Sequence, residues 1–167
     1  MVRSRIAVLA VSAFAFAAGC GGGDTPSVAE RNAQRTDWSA AAVTAMNDLA
    51  SRTTAAVGGC ADYAAYPFAG IQQAQAKTLP LPGAQGSCTA LDDESVEFSV
   101  FADADATKDF IDAKQSLLCG QAKAKSIPYP GFDYVDGGTW VIQPDSAGAA
   151  RTLAEKLGGE AKTASCR

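Results

Sequence analysis

Four cysteines, Cys60, Cys88, Cys119 and Cys166, lie along the chain at intervals of 28, 31 and 47 residues. No two of them make a CxxC pair, so the spacing is unlike that of zinc ligands or of a thiol–disulfide redox motif. In an oxidising compartment an even number of such cysteines reads as two disulfides. Any fold for this chain must then bring them together two by two, with bridged Cα atoms within about 7 Å.

The first twenty residues, MVRSRIAVLAVSAFAFAAGC, point to that compartment. Arg3 and Arg5 form a positive start. Ile6 to Ala18 is uncharged, as long as the apolar region of an export signal and too short for an ordinary transmembrane helix. Ala17-Ala18-Gly19-Cys20 resembles the bacterial lipobox, with Ala17 where Leu is usual. That resemblance implies cleavage before Cys20, acylation of its thiol (palmitate among the acyl groups) and a lipid anchor on the extracytoplasmic side of the cell membrane. The plainer alternative is a secretory signal cut near Ala18, with Cys20 a free thiol. Residues 1–19 are thus expected to be a signal peptide and residues 20–36 a lipidated cysteine with a flexible tether. Residues 37–167 are expected to form one disulfide-braced domain.

The chain carries 14 basic and 18 acidic residues and no histidine. Loss of Arg3 and Arg5 with the signal leaves 12 against 18, a net charge of −6. An acidic domain without a basic cluster argues against nucleic acid as a partner. The absence of histidine removes Ser-His-Asp and Cys-His catalysis and His-containing metal sites. Neither GxSxG nor GxxxxGK[ST] occurs. Abundant Ala with few Lys suits a high-GC genome, which with the lipobox suggests an actinobacterium.

Periodicity predicts a helix over about Trp38–Val57, capped by Thr36 or Asp37 and ended by Gly58-Gly59. Its inward stripe would be Trp38, Ala42, Ala45, Leu49 and Ala56. Residues 60–86 are mixed, with a short helix near 70–77 and an extended Leu79–Gly83. Strict alternation over Ser95–Phe101 predicts a half-buried strand with Val96, Phe98 and Val100 inward. Its hairpin partner would be 87–91, across an acidic turn of Asp92, Asp93 and Glu94. A helix over 105–118 follows, with Ala106, Phe110, Ala113 and Leu117 inward. A hairpin comes next, 132–136 and 139–143, with Gly137-Gly138 supplying positive φ angles. Then come a helix over 147–157 and a strand over 160–166.

The class is α+β: an N-terminal helix and then β-β-α-β-β-α-β, with the helices on one face of a mainly antiparallel sheet. The two β-β-α stretches form a weak internal repeat. The path from residue 95 onward resembles a ferredoxin-like fold. The strand at 87–91 fits it poorly, because both neighbours of its hairpin partner would already be taken. On that path the helix after residue 95 and the final strand both finish at the first strand's starting end. Cys119 therefore pairs with Cys166, and Cys60 with Cys88. Cys88 before its acidic turn, the Val-x-Phe-x-Val-Phe strand, Gly-Gly-Thr-Trp-Val-Ile (137–142) and Leu-Gly-Gly (157–159) resemble a group of small exported actinobacterial lipoproteins. The likeness covers about residues 85–166, and it implies no activity and no site residue.

Asp103-x-Asp105-x-Thr107 reads as a helix cap rather than a calcium loop, which would need Gly and Glu where Lys108 and Lys114 stand. Tyr63, Tyr66, Phe68, Tyr129 and Tyr134 lie in or beside loops and are the candidate binding residues. Neither a cofactor nor a metal is expected. The functional expectation is a lipid-anchored, non-enzymatic module that binds an envelope protein or a ligand. The alternatives are a cell-wall hydrolase using acids such as Asp92, Asp93, Asp103 or Asp105, and a prophage-borne surface lipoprotein that excludes superinfection.

Overall fold

The alternating stretch after Glu94 does form a strand, and what pairs with its two edges decides the architecture. The computed structural model describes residues 27–75, 77–91 and 93–166. The signal segment, Cys20, the start of the tether and Asp92 lie outside the described residues. In chain order the elements are α1 (Val28–Ala33), α2 (Ala40–Val57), β1 (Ala61–Ala65), α3 (Phe68–Gln75), β2 (Ala84–Ala90) and β3 (Glu94–Val100). They continue with α4 (Ala104–Lys125), β4 (Phe132–Asp136), β5 (Trp140–Pro144), α5 (Ala147–Leu157) and β6 (Glu160–Ala164). The class is α+β, and the six strands form one sheet in the order β1-β2-β3-β5-β4-β6 with every neighbouring pair antiparallel.

A ferredoxin-like order would lay the last strand against β3. That edge is held by β2, in register from Ala84↔Val100 to Ala90↔Glu94. The last strand is therefore found at the far edge, on β4, with Phe132↔Ala164 and Asp136↔Glu160 in register. This move has a consequence for the helices. The units β3-α4-β4 and β5-α5-β6 each join parallel strands, skip one strand, and step toward the β6 edge. Because β3 and β5 run in opposite directions, two right-handed crossovers must lie on opposite faces of the sheet.

The packing follows that rule and corrects the one-face expectation. On one face, Ala84, Cys88, Val96, Phe98, Val135 and Ile142 pack with Met46 and Leu49 of α2 and Leu153 of α5. On the other, Phe110 and Ile111 of α4 meet Tyr134, Val141 and Ala164, with Leu79 and Phe101 closing the cluster. The alternation of β3 thus sorts its side chains between two covered faces. Ser99, expected on the solvent face, is buried.

The local signals mostly hold. Ser39, not Thr36 or Asp37, caps α2 by accepting from the Ala42 N–H, and Gly58 ends the helix at φ 81°. Its buried side is Ala42, Met46, Leu49, Ala50 and Thr53, while Ala45 is exposed. Asp103 caps α4, accepting from the Ala106 N–H at 2.8 Å. That helix runs two turns beyond the expected end, to Lys125. In the β4–β5 turn only Gly138 takes a positive φ, 82°. Gly137 serves close approach instead, since a Cβ there would collide with the Trp140 ring.

Both disulfides join the expected partners, with Cα–Cα distances of 5.3 Å for Cys60–Cys88 and 5.5 Å for Cys119–Cys166. The pairing survives the change of strand order because it depends only on strand direction. At the far edge β6 is still antiparallel to β3, so Cys166 still finishes beside the end of α4.

The largest correction is at the N-terminal side. Residues 27–35, read as tether, are built into the domain. Ser27 and Glu30 form a reciprocal capping box that starts α1. Asn32 is buried; its amide donates to Leu79 O at 2.8 Å and accepts from the Leu81 N–H at 3.2 Å. The Arg35 guanidinium donates to Leu81 O and Pro82 O at 2.9 and 2.7 Å. The proline-rich stretch, whose carbonyls have no strand partner, is thereby satisfied by side chains of the segment before α2.

Candidate functional site

Among the described residues α4 is the only long helix over the second face, and the sheet is left partly open at the end where β3 begins and β5 finishes. A groove of about 500 Å³ lies there, a size typical of small-molecule sites. Its floor is Ser95 and Glu97 of β3 and Gln143 and Pro144 of β5. One wall is Lys114 and Leu118 of α4. The other sides are Tyr66, the Tyr129–Asp133 segment and Asp145.

The floor carries a connected polar set. Gln85, fully buried on β2, donates its Nε2 to Glu97 Oε1 at 3.0 Å. Lys114 Nζ reaches the same oxygen at 3.4 Å and also donates to Gln143 Oε1. Lys114 lies 5.6 Å from the centre of the Phe132 ring, close enough for cation–π attraction. Glu97 and Lys114 are each more than two-thirds buried, at 29% and 22% side-chain exposure, so their pairing is weakly screened. Fixing Gln143 Oε1 on Lys114 turns its NH₂ away from that ammonium, and among the described residues the second Glu97 oxygen has no partner. Among the described residues, one polar side-chain atom of this set, Gln85 Oε1, is buried without a partner.

Two of the five aromatic candidates come together here. Tyr66 and Tyr129 line the groove from opposite sides of the sheet face. The other three are structural. The Tyr63 hydroxyl donates to Asn47 Oδ1 of α2 at 2.8 Å, and its ring sits edge-on to Phe98. Phe68 is buried edge-on against Trp38 at 4.9 Å. Tyr134 belongs to the core under α4, where burial pushes its hydroxyl pKa up. Sequence reasoning missed Gln85, Glu97, Lys114 and Gln143. The available signal was Glu97 on the polar side of an alternating strand, with Lys114 four residues after Phe110 on the inward side of α4.

Of the candidate acids of a hydrolase, the described ones, Asp93, Asp103 and Asp105, are not gathered. Asp93 is exposed in the β2–β3 turn, and Asp103 and Asp105 stand at the start of α4. The length of β3, roughly 23 Å, separates the two groups. Glu94, assigned to the same turn, instead opens β3 and accepts from the Ser146 hydroxyl at 2.7 Å, fastening the start of α5. Among the described residues no cluster of three or more His, Cys, Asp or Glu side chains is arranged to hold a metal ion. None of the described helices is long and apolar enough to cross a membrane.

A second charged group lies on the α4 face at the far edge. Lys162 Nζ sits 2.9 Å from Asp136 Oδ2 and 3.0 Å from Glu160 Oε2. These hydrogen bonds hold the ammonium well above the ordinary lysine value. Burial alone would raise the Asp136 pKa. The Lys162 ammonium and the Gly138 N–H outweigh burial and hold it below the ordinary carboxylate value.

No protein-family model, no curated protein and no solved structure matches the chain.

Proposed function

We propose that this protein is a lipid-anchored, extracytoplasmic binding module of the cell envelope, tethered through Cys20 and non-enzymatic, with the groove over β3 and β5 as its ligand site. The chain would be one of the small exported actinobacterial lipoproteins that its C-terminal half resembles. The observation that carries this reading is the position of the groove relative to the incoming chain. Arg31, Asn32 and Arg35 sit beside Asp103, Asp105 and Asp109 at the start of α4. Lys114 and Leu118, which wall the groove, stand nine and thirteen residues after Asp105 on that helix. At 1.5 Å per residue that is roughly 14 and 20 Å, so a chain anchored upstream of Ser27 would hold the groove away from its point of attachment. The partly desolvated polar floor between two tyrosines is the kind of convergent polar and aromatic lining that small-molecule sites use.

Two variants test the proposal together. Cys20→Ser should leave the protein unprocessed or release it from the membrane; retention of mature, membrane-bound protein would refute the anchor. Tyr129→Ala, with the anchor intact, should abolish retention of whatever the wild-type protein captures from its own envelope. Undiminished capture would refute the groove.

A further inference from the structure

We infer that the ligand of the groove is a neutral saccharide. This rests on the binding-module reading above and goes further by naming the chemistry that the lining selects. A ligand anion would meet Glu97 and Asp145 against Lys114 alone, an excess of negative charge in a partly desolvated cleft. A ligand cation fares no better at the floor. The most buried carboxylate, Glu97, already has the Lys114 ammonium at 3.4 Å, and an incoming amine would be pressed against that like charge.

What the protein leaves available is a mixture of neutral donors and open acceptors. The Gln143 NH₂ and the Tyr66 and Tyr129 hydroxyls have no partner among the described residues, and Glu97 has an unused oxygen. Asp145 Oδ2 accepts from the Ser95 N–H at 3.0 Å, which leaves its other oxygen without a partner among the described residues. A sugar hydroxyl donates and accepts at the same atom. Neighbouring hydroxyls on one ring can serve an amide donor and a carboxylate acceptor together, with no charge to desolvate.

The apolar side of a pyranose ring needs flat, unoccupied carbon surface. Tyr66 and Tyr129 supply it: neither ring packs against another aromatic ring of the described residues, whereas Phe132 is engaged with Lys114 and Tyr134. Pro130, which is exposed, extends this surface without adding a backbone donor.

The test is titration of the intact domain, followed by amide chemical shifts. The probes are the neutral tetrasaccharides chitotetraose, cellotetraose and maltotetraose, with trilysine as the cationic control. At least one tetrasaccharide should bind at or below about millimolar Kd and move the amides of Ser95, Glu97 and Gln143. Tyr129→Ala should weaken it by about tenfold or more, a loss typical of an aromatic anchor, with an unchanged circular dichroism spectrum. Gln143→Ala, a smaller change at the floor, gives a second reading if Tyr129→Ala fails to fold. Co-sedimentation with purified cell-wall sacculi then separates a wall polymer from a free sugar as the source, and either supports the inference. Groove shifts with trilysine and with no saccharide would overturn the saccharide and leave the binding groove standing. No groove shift with any probe overturns the saccharide; if the envelope partner also binds the Tyr129→Ala protein undiminished, the groove itself falls.

Discussion

Lys114, three turns into α4, crosses to the sheet and lies 3.4 Å from the Glu97 carboxylate on β3. This link ties the long helix on its face of the sheet to the central strand. Lys114→Met leaves Glu97 two-thirds buried with a single amide donor. Removing one member of such a pair should cost about 1–3 kcal/mol, read as a lower urea midpoint at an unchanged m-value. The double variant Lys114→Met/Glu97→Gln should recover part of that loss, because no unpaired charge remains. If the double variant is no more stable than Lys114→Met, the coupling assigned here is absent.

Asn32→Ala removes both hydrogen bonds to the Leu79–Leu81 stretch and leaves the Leu81 N–H without its acceptor. The expected loss is about 1–3 kcal/mol. Limited proteolysis should also begin cutting within residues 27–36, where the wild-type protein resists. A variant as stable and as resistant as wild type would restore the reading of this segment as a tether.

Deleting either disulfide as a double Ser variant should destabilise the domain. Loop closure over sequence separations of 28 and 47 residues gives about 3.5 and 4 kcal/mol in the chain-entropy account. Non-reducing peptide mapping should return Cys60 with Cys88 and Cys119 with Cys166. Any mixed peptide contradicts the strand directions.

Acid unfolding should report Asp136. Its folded pKa lies below the ordinary value, so its contribution is complete above that value, 3.8, and is lost as pH falls through the folded value. Lys162 has the opposite sign: raised above 10.5, it contributes fully below that pH and loses its contribution as pH climbs through the folded value. Asp136→Asn should flatten the decline of stability between about pH 4 and pH 2. An unaltered acid limb would show that Lys162 does not hold this carboxylate.

The elements that the sequence made legible are those whose signal is local. The alternation of Val96, Phe98 and Val100, the Asp103 and Gly58 caps and the helix over Ala147–Leu157 each depend on a few adjacent residues. Strand directions follow from such elements, and the disulfide pairing followed from direction. Strand order does not. Whether β2 or β6 takes the free edge of β3 depends on pairing across the whole sheet, and that one choice sent α5 to the opposite face. The groove was illegible for the same reason. Glu97 reads as a solvated residue until a helix is known to pass over it, and Lys114 reads as a surface charge until the strand beneath it is known. Tyr66 and Tyr129 were found because large aromatics beside loops are informative alone; Tyr63, Phe68 and Tyr134 show how often the core claims them. Strand β1 was missed because Ala61–Ala65, with its register break between Ala61 and Ala64, carries almost no apolar alternation.

The docking of α1 also decides how the protein bears load. A pull transmitted from an anchor upstream of Ser27 reaches first the Asn32 bonds and then the Arg35 bonds to Leu81 and Pro82. These bonds would break in succession, releasing chain, before any strand is strained. At the other end of the molecule Cys119–Cys166 locks β6 to α4 covalently. If a ligand occupies the groove as proposed, a domain tugged through it would lengthen at its root while α4 stayed joined to the sheet's far edge.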